Sequence, residues 1–161
     1  MRYLKTTLIA TAIGLTLPIA VQTKTMYGSQ YVDKVVRVYD GDTFFANFYK
    51  FHPIVGKSIG IRINGIDTPE IRGSKCLYEK QLAYKAKDML IYLFDNGKTI
   101  ELRNMQRGKY FRIVADVYVD GVSVASILEQ ENLAVPYYGG TKFHDWCIFG
   151  DVEINKTGYS I

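Results

Sequence analysis

Hydrophobic and polar positions alternate over several short stretches of this chain. Val32 to Tyr39 is Val-rich and partly alternating, which predicts a strand. Asp40-Gly41-Asp42 turns it, and Thr43 to Tyr49 reads as its partner. Lys50 to Lys57, with Pro53 and Gly56, reads as a loop. From Ser58 to Ile66 the alternation returns, with Ile59, Ile61 and Ile63 on one face and Gly60, Arg62 and Asn64 on the other. Pro69 fixes its φ and has no N–H, so the strand stops there, and Thr68 is pushed out of the helical region. The period then becomes helical. Leu82, Ala86, Met89, Leu90 and Leu93 form an apolar stripe, Glu79, Lys80, Lys85, Lys87 and Asp88 a polar face, Ser74 an N-cap, and Asn96-Gly97 an end near Asp95. Thr99 to Arg103 predicts a short strand, and Tyr110 to Val119 a longer one closed by Asp120-Gly121. Val124 to Leu133 predicts a short amphipathic helix. From Gly139 onward no period persists, and residues 139–161 read as a short irregular tail.

This order predicts one mainly β domain with packed helices over residues 32–138, preceded by a linker at 24–31. The first 23 residues differ. Arg2 and Lys5 precede a charge-free, mostly apolar run broken by Gly14 and Pro18. That pattern predicts a secretory signal and an exported protein, periplasmic or secreted. An uncleaved N-terminal anchor is the alternative, because no clean small-x-small cleavage site stands near Ala20 to Thr23. Cys76 and Cys147 are the only cysteines. Two thiols cannot build a four-thiolate zinc site, and export favours a disulfide between the first long helix and the tail; two unpaired buried thiols are the alternative. His52 and His144 have no partner at metal-binding spacing, and His144-Asp145-Trp146 reads as tail packing.

Charge changes the picture through its distribution. The whole chain carries a net +4, but Lys24 to Arg112 holds 16 basic and 9 acidic residues, against 2 basic and 7 acidic from Ile113 to the end. A basic stretch of this kind fits a polyanion, unless the two halves interleave in space and the asymmetry averages out. Thirteen Tyr and eight Phe can fill a small β core or stack on bases. Within the basic stretch, two acidic turns end predicted strands: Asp40-Gly41-Asp42-Thr43 and Asp67-Thr68-Pro69-Glu70. Oxygen ligands on two such turns suit a hard divalent cation. Hydrolysis of a phosphodiester needs that cation, cationic donors for the developing charge, and a group that acts on water. Asp42, Asp67 and the Thr68 carbonyl could hold the cation, Glu70 could act on the water, and Arg62 and Arg112 could each fork onto phosphate oxygens. Taken singly, the same residues could be turn formers, a strand-surface charge and a cross-strand ion-pair partner.

Asp40-Gly41-Asp42-Thr43, the run from Arg62 to Glu70, and Lys109-Tyr110-Phe111-Arg112 together resemble the staphylococcal nuclease (thermonuclease) family, in order and in approximate spacing from Asp33 to Tyr138. The resemblance implies a five-stranded OB-type barrel with packed helices. It implies calcium (Ca2+) held by Asp42, Asp67 and Thr68 with Asp40 in support, and Arg62, Glu70 and Arg112 as catalytic residues. It also implies Lys109 and Tyr110 on a terminal phosphate, and Tyr137 or Tyr138 beside the base. The expected activity is a hydrolase: a Ca2+-dependent endonuclease of DNA and RNA, preferring single strands, monomeric, breaking the 5′ P–O bond and leaving 3′-phosphates. Phe111 stands where the family prototype has Gly, so substrate contacts on that loop differ. The prototype's helix after the barrel is absent or reduced here. The alternative from another class is a noncatalytic OB-fold module that binds single-stranded nucleic acid, which has no use for the Arg62, Glu70 and Arg112 set. A membrane-tethered interaction protein is a third reading, if the N-terminal segment is never cleaved.

Overall fold

The computed structural model describes residues 25–148. The expected signal segment at 1–23 and the end of the tail lie outside the described residues. The elements run β1 (Gln30–Tyr31), β2 (Lys34–Val38), β3 (Thr43–Asn47), α1 (Pro53–Gly56), β4 (Ile59–Ile63), β5 (Ile66–Asp67), α2 (Leu77–Asn96), β6 (Ile100–Arg107), β7 (Ile113–Val119), β8 (Val122–Ser123), α3 (Val124–Gln130) and β9 (Val135–Pro136). Among the described residues no helix is long and apolar enough to cross a membrane.

The fold is mixed α and β around one curled sheet with the strand path β1-β6-β7-β4-β3-β2, to which β8 adds beside β7. It differs from a closed five-stranded barrel: the path has six strands, and β1 and β2 form its two edges. Those edges are successive on the chain. Val32 N–H donates to the Ile100 carbonyl of β6 at 2.9 Å, and Asp33 N–H donates to the Asn47 carbonyl of β3 at 3.2 Å. The chain thus steps from one edge to the other within two residues, and the sheet curls into an open half-barrel consistent with an OB-type fold. Gln30 and Tyr31 belong to the sheet, opposite Leu102 and Glu101, rather than to a linker.

The core follows the alternation. Phe44, Ala46, Ile59, Ile61, Ile63, Leu102, Ala115 and Val117 are buried on the concave side of the sheet. Helix α2 closes it with Ala83, Ala86, Leu90 and Phe94, spaced to share one face. The Phe44 and Phe94 ring centroids lie 4.7 Å apart. Each fully buried Leu or Phe contributes about 1.5–3 kcal/mol against exposure.

Three local departures from the sequence expectation have physical causes. Helix α2 starts after Cys76, not Ser74: the Cys76 sulfur accepts the Glu79 N–H. Glu79, expected on the polar face, is buried. Its carboxylate accepts the Lys75 N–H at 2.6 Å and the Glu70 N–H at 3.3 Å. It therefore ties the turn after β5 to the start of α2. The Lys50–Lys57 loop also contains one helical turn, α1, entered through Pro53.

Candidate active site

Strand β4 sets the site. It pairs antiparallel with β3, Thr43 opposite Arg62, and parallel with β7, Ile61 opposite Ile113. Its isoleucines enter the core, so Gly60, Arg62 and Asn64 point the other way. On that face the Arg62 guanidinium meets Asp42 Oδ2 at 2.5 Å and Asp67 Oδ1 at 3.5 Å. The two acidic turns predicted from sequence are thus brought together across one arginine.

Both carboxylates are buried, Asp42 to 3% and Asp67 to 4% exposure, and Thr68 beside them is buried too. Asp42 reaches this place because its turn is pressed against α2. A Cβ on Gly41 would stand 2.6 Å from the Ala86 Cβ and 3.0 Å from the Thr68 side chain, so only glycine allows the approach. Asp42 Oδ1 accepts the Thr43 hydroxyl at 2.7 Å. Asp67 is placed by the β5–β9 pair, opposite Val135. Asp40 lies on the same turn, and its carboxylate accepts the Asp42 N–H at 3.2 Å.

Burial dominates the electrostatics. It raises the Asp40 pKa to about 7, with the Asp42 charge adding to the effect. Burial also raises Asp42, against the opposing pull of Arg62 and the Thr43 hydroxyl. Arg62 is penalised by its own burial, but Asp42 and Asp67 outweigh this and hold it above its ordinary value.

A residue to which the sequence pattern assigned no role completes the cluster. Lys142, in the irregular tail, places its ammonium 2.7 Å from Asp67 Oδ1 and 2.5 Å from Glu70 Oε1. Asp67 Oδ1 is otherwise buried without a well-angled hydrogen bond. Desolvation works against the Lys142 cation, and its bonds to Asp67 and Glu70 raise its pKa all the same. The one signal for it in the sequence is that it is the sole Lys or Arg between Ile113 and Ile148. The stretch from Tyr137 to Cys147 is held at both ends. The Tyr137 N–H donates to the Gly65 carbonyl at 2.7 Å, and Cys147 is disulfide-bonded to Cys76 with Cα atoms 6.0 Å apart. Tyr137 brings its ring to 5.9 Å from the Arg62 guanidinium, whereas Tyr138 is 89% exposed.

Arg112 stands apart from this cluster and forms no ion pair among the described residues. It nevertheless lies on the same open face. Its stem covers Gly60, where an added Cβ would sit 3.0 Å from Arg112 Cγ. Gly60 and Arg62 are two residues apart on β4, so Arg112 lies about 7 Å along the strand from the root of Arg62. Arg112 Nε is buried without a partner. Lys109, Tyr110 and Phe111 form the exposed loop before it, closed by the Arg112 N–H donating to the Lys109 carbonyl at 3.2 Å. Tyr110 and Phe111 take φ of 56° and 57°, the left-handed region that an L side chain enters at a cost of about 1–2 kcal/mol per residue. The glycine of the family prototype would occupy the Phe111 position without that strain.

As a cation site, the donor set consists of hard oxygens: the Asp42 and Asp67 carboxylates and the Thr68 carbonyl. The ammonium seated on Asp67 shows that this pocket accepts positive charge. Among the described residues no group of three or more His, Cys, Asp or Glu side chains is arranged to hold a metal. A metal here would therefore depend on the backbone oxygen and on solvent as well.

Fold and site define a small curled-sheet domain with buried carboxylates and arginines on one open face. The staphylococcal nuclease homologue family matches residues 60–146, more than half of the chain, and the chain belongs to that family. No curated protein matches the chain. The matched span contains Arg62, Asp67, Thr68, Glu70, Lys109, Tyr110, Arg112, Tyr137 and Lys142. Asp40 and Asp42 lie before it, and the ion pair to Arg62 joins Asp42 to it.

Proposed function

We propose that this protein is an exported, Ca2+-dependent nuclease that hydrolyses phosphodiester bonds of DNA and RNA. The observation that carries the reading is the pair of buried carboxylates, Asp42 and Asp67, sharing Arg62 on the face that also carries Glu70 and Arg112. Membership of a nuclease family supports it. Asp42, Asp67 and the Thr68 carbonyl are the residues that would hold the ion, with Asp40 in support. A bound divalent ion supplies charge stabilisation to a phosphate oxygen and lowers the pKa of a nearby water.

The chain's own residues do the rest. Arg62 and Arg112 face one open surface, and each offers a planar fork of donors to a phosphate lying between them. Their role is to stabilise the extra negative charge that grows as water adds to phosphorus. Glu70 sits at the rim, more exposed than Asp67, and takes the proton of the attacking water. The new bond is water oxygen to phosphorus; the bond broken is that to the 5′ oxygen. The products are a 3′-phosphate and a 5′-hydroxyl, which takes up a proton. Tyr137 next to Arg62 offers a ring for the base, and Lys109 and Tyr110 offer exposed donors for a neighbouring phosphate.

The test is incubation of the purified chain with single-stranded DNA and RNA, in Ca2+ or in EGTA, with the product ends analysed. Ca2+-dependent fragments ending in 3′-phosphate are expected. Binding of DNA without cleavage would replace the nuclease reading by the binding module.

A further inference from the structure

Lys142 has its ammonium on Asp67 and Glu70, the first a proposed cation ligand and the second the proposed acceptor of the water proton. A divalent ion bound to Asp67 would sit about 2.3–2.6 Å from its oxygen. The Lys142 nitrogen already lies 2.7 Å from Asp67 Oδ1. The ion and the ammonium would thus meet the same oxygen from within the same small space, and two cations repel there.

The chain holds the ammonium in place from two sides. Strand β9, six residues before Lys142, is paired with β5, the strand that bears Asp67. Five residues after Lys142, Cys147 is bonded to Cys76, the residue that caps α2. Pinning a ten-residue loop, 137–146, at both ends raises the effective concentration of its lysine at the carboxylates. The side chain is still 39% exposed, so its stem can swing into solvent when displaced.

We propose that Lys142 and a divalent cation compete for the Asp67 carboxylate, so that the disulfide-pinned tail sets the metal affinity of the site and, while Lys142 is seated, also occupies Glu70. The inference rests on the cation reading given under Proposed function. Lys142 is a built-in counter-ion: it neutralises the buried carboxylates while no metal is bound, and it must leave before a metal engages Asp67 and before Glu70 is free to accept a proton. Cleaving the disulfide leaves the lysine in the chain but frees one end of its loop, and metal affinity rises.

The experiment is calorimetric titration of the metal-free full chain with Ca2+ at one fixed ionic strength, without substrate. K142M is expected to bind Ca2+ about tenfold more tightly than wild type, within the usual range of coupling between two linked sites. C76S/C147S keeps Lys142 and puts a serine hydroxyl at the α2 cap; it is expected to shift affinity the same way by a smaller factor. K87M removes one positive charge from the hollow shared by Asp40 and Glu70 without touching either carboxylate, and is expected to leave affinity within about a factor of two. A second readout needs no activity. Metal-free K142M should melt below wild type, because Asp67 loses its nearest cation, and Ca2+ should raise its melting temperature more. Equal Ca2+ affinities for wild type and K142M, or an equal gain in K87M, would overturn the competition and leave the cation reading standing. No Ca2+ binding by wild type or any variant would overturn the cation reading, and the competition with it.

Discussion

Two Asp-Gly turns of this molecule look alike in sequence and differ in every physical respect. Asp120-Gly121 joins β7 to β8 as a two-residue hairpin, with φ of 48° and 84°. Its carboxylate accepts the Lys98 and Thr99 N–H groups and the Thr99 hydroxyl, and these bonds lower its pKa. Gly121 is there for its backbone angle, with open space around it. Asp40-Gly41-Asp42 has the same letters. There the glycine serves close approach to Ala86, and burial raises the pKa of both carboxylates. Asp120 is satisfied by neighbouring backbone, so its charge completes a turn. Asp42 and Asp67 are satisfied by Arg62 and Lys142, side chains from a strand and from the tail, and such partners can be exchanged for a ligand. The partner of an aspartate, more than the turn it sits on, distinguishes Asp120 from the acids of the candidate active site.

The comparison is sharpest in catalysis. Glu70→Gln keeps the shape and removes the proposed proton acceptor, so turnover should fall by roughly 10²–10⁴-fold with the fold intact. Arg62→Lys and Arg112→Lys keep the charge and lose the fork, and each should cost on the order of 10²-fold. Asp120→Asn should leave turnover unchanged. Cleavage rate and single-strand affinity measured together at one salt concentration check all four, because phosphate binding is salt-dependent. If Glu70→Gln cleaves as fast as wild type, the assignment of Glu70 fails.

Next in size is the pin on the tail. Cys76 and Cys147 are 71 residues apart in sequence. Their bond should contribute about 2–4 kcal/mol, read as the difference in unfolding free energy between oxidised and reduced chain. An unchanged denaturation midpoint on reduction would show that β9 alone holds the tail, and would detach the acidic turn from the disulfide.

The parts of this site that were legible in sequence are those that local periodicity governs. Alternation put Arg62 on the face away from Ile59, Ile61 and Ile63, and Pro69 ended the strand where the second acidic turn begins. Periodicity could not reveal Glu79, whose burial depends on two N–H groups from the preceding turn. It could not reveal Lys142 either, since an irregular tail has no pattern and the contact spans 72 positions to Glu70. The six-strand path was hidden for a related reason. Gln30–Tyr31 is too short to show alternation, and its place at the sheet edge follows from pairing with β6.

The two glycines test the comparison at the level of backbone. Gly41→Ala must push apart the turn and α2, so it should cost about 1–3 kcal/mol as overpacking does. It should also lower turnover by displacing Asp42. Gly121→Ala meets no atom but keeps a φ of 84°, so it should cost about 1–2 kcal/mol of strain without loss of turnover. Chemical denaturation of both variants, with parallel assays, separates the two roles. Equal activity losses would mean that the first turn is no more functional than the second.

The smallest effect expected is the pH dependence carried by Asp120. Its pKa is lowered in the folded chain by hydrogen bonds from the Lys98 and Thr99 N–H groups and the Thr99 hydroxyl, while in the unfolded chain it returns to its ordinary value. A carboxylate depressed on folding binds fewer protons in the native state than in the unfolded state. Its contribution is therefore present above the unfolded pKa and is lost as pH falls through the folded one. Asp120→Asn removes the charge and leaves one acceptor oxygen where the carboxylate has two, so it should lower the melting temperature at neutral pH. The gap between wild type and variant should narrow as pH falls below the ordinary carboxylate value of 3.8, where the unfolded chain takes up its proton first and Asp120 in the folded chain only later. Because the group is exposed, added salt should shrink the gap as well. Thermal melts of both proteins at several pH values and two salt concentrations give the answer. A gap that stays constant down to the acid limit would mean that the Asp120 bonds hold the turn by geometry alone, and that its charge contributes nothing to set it apart from the acids of the candidate active site.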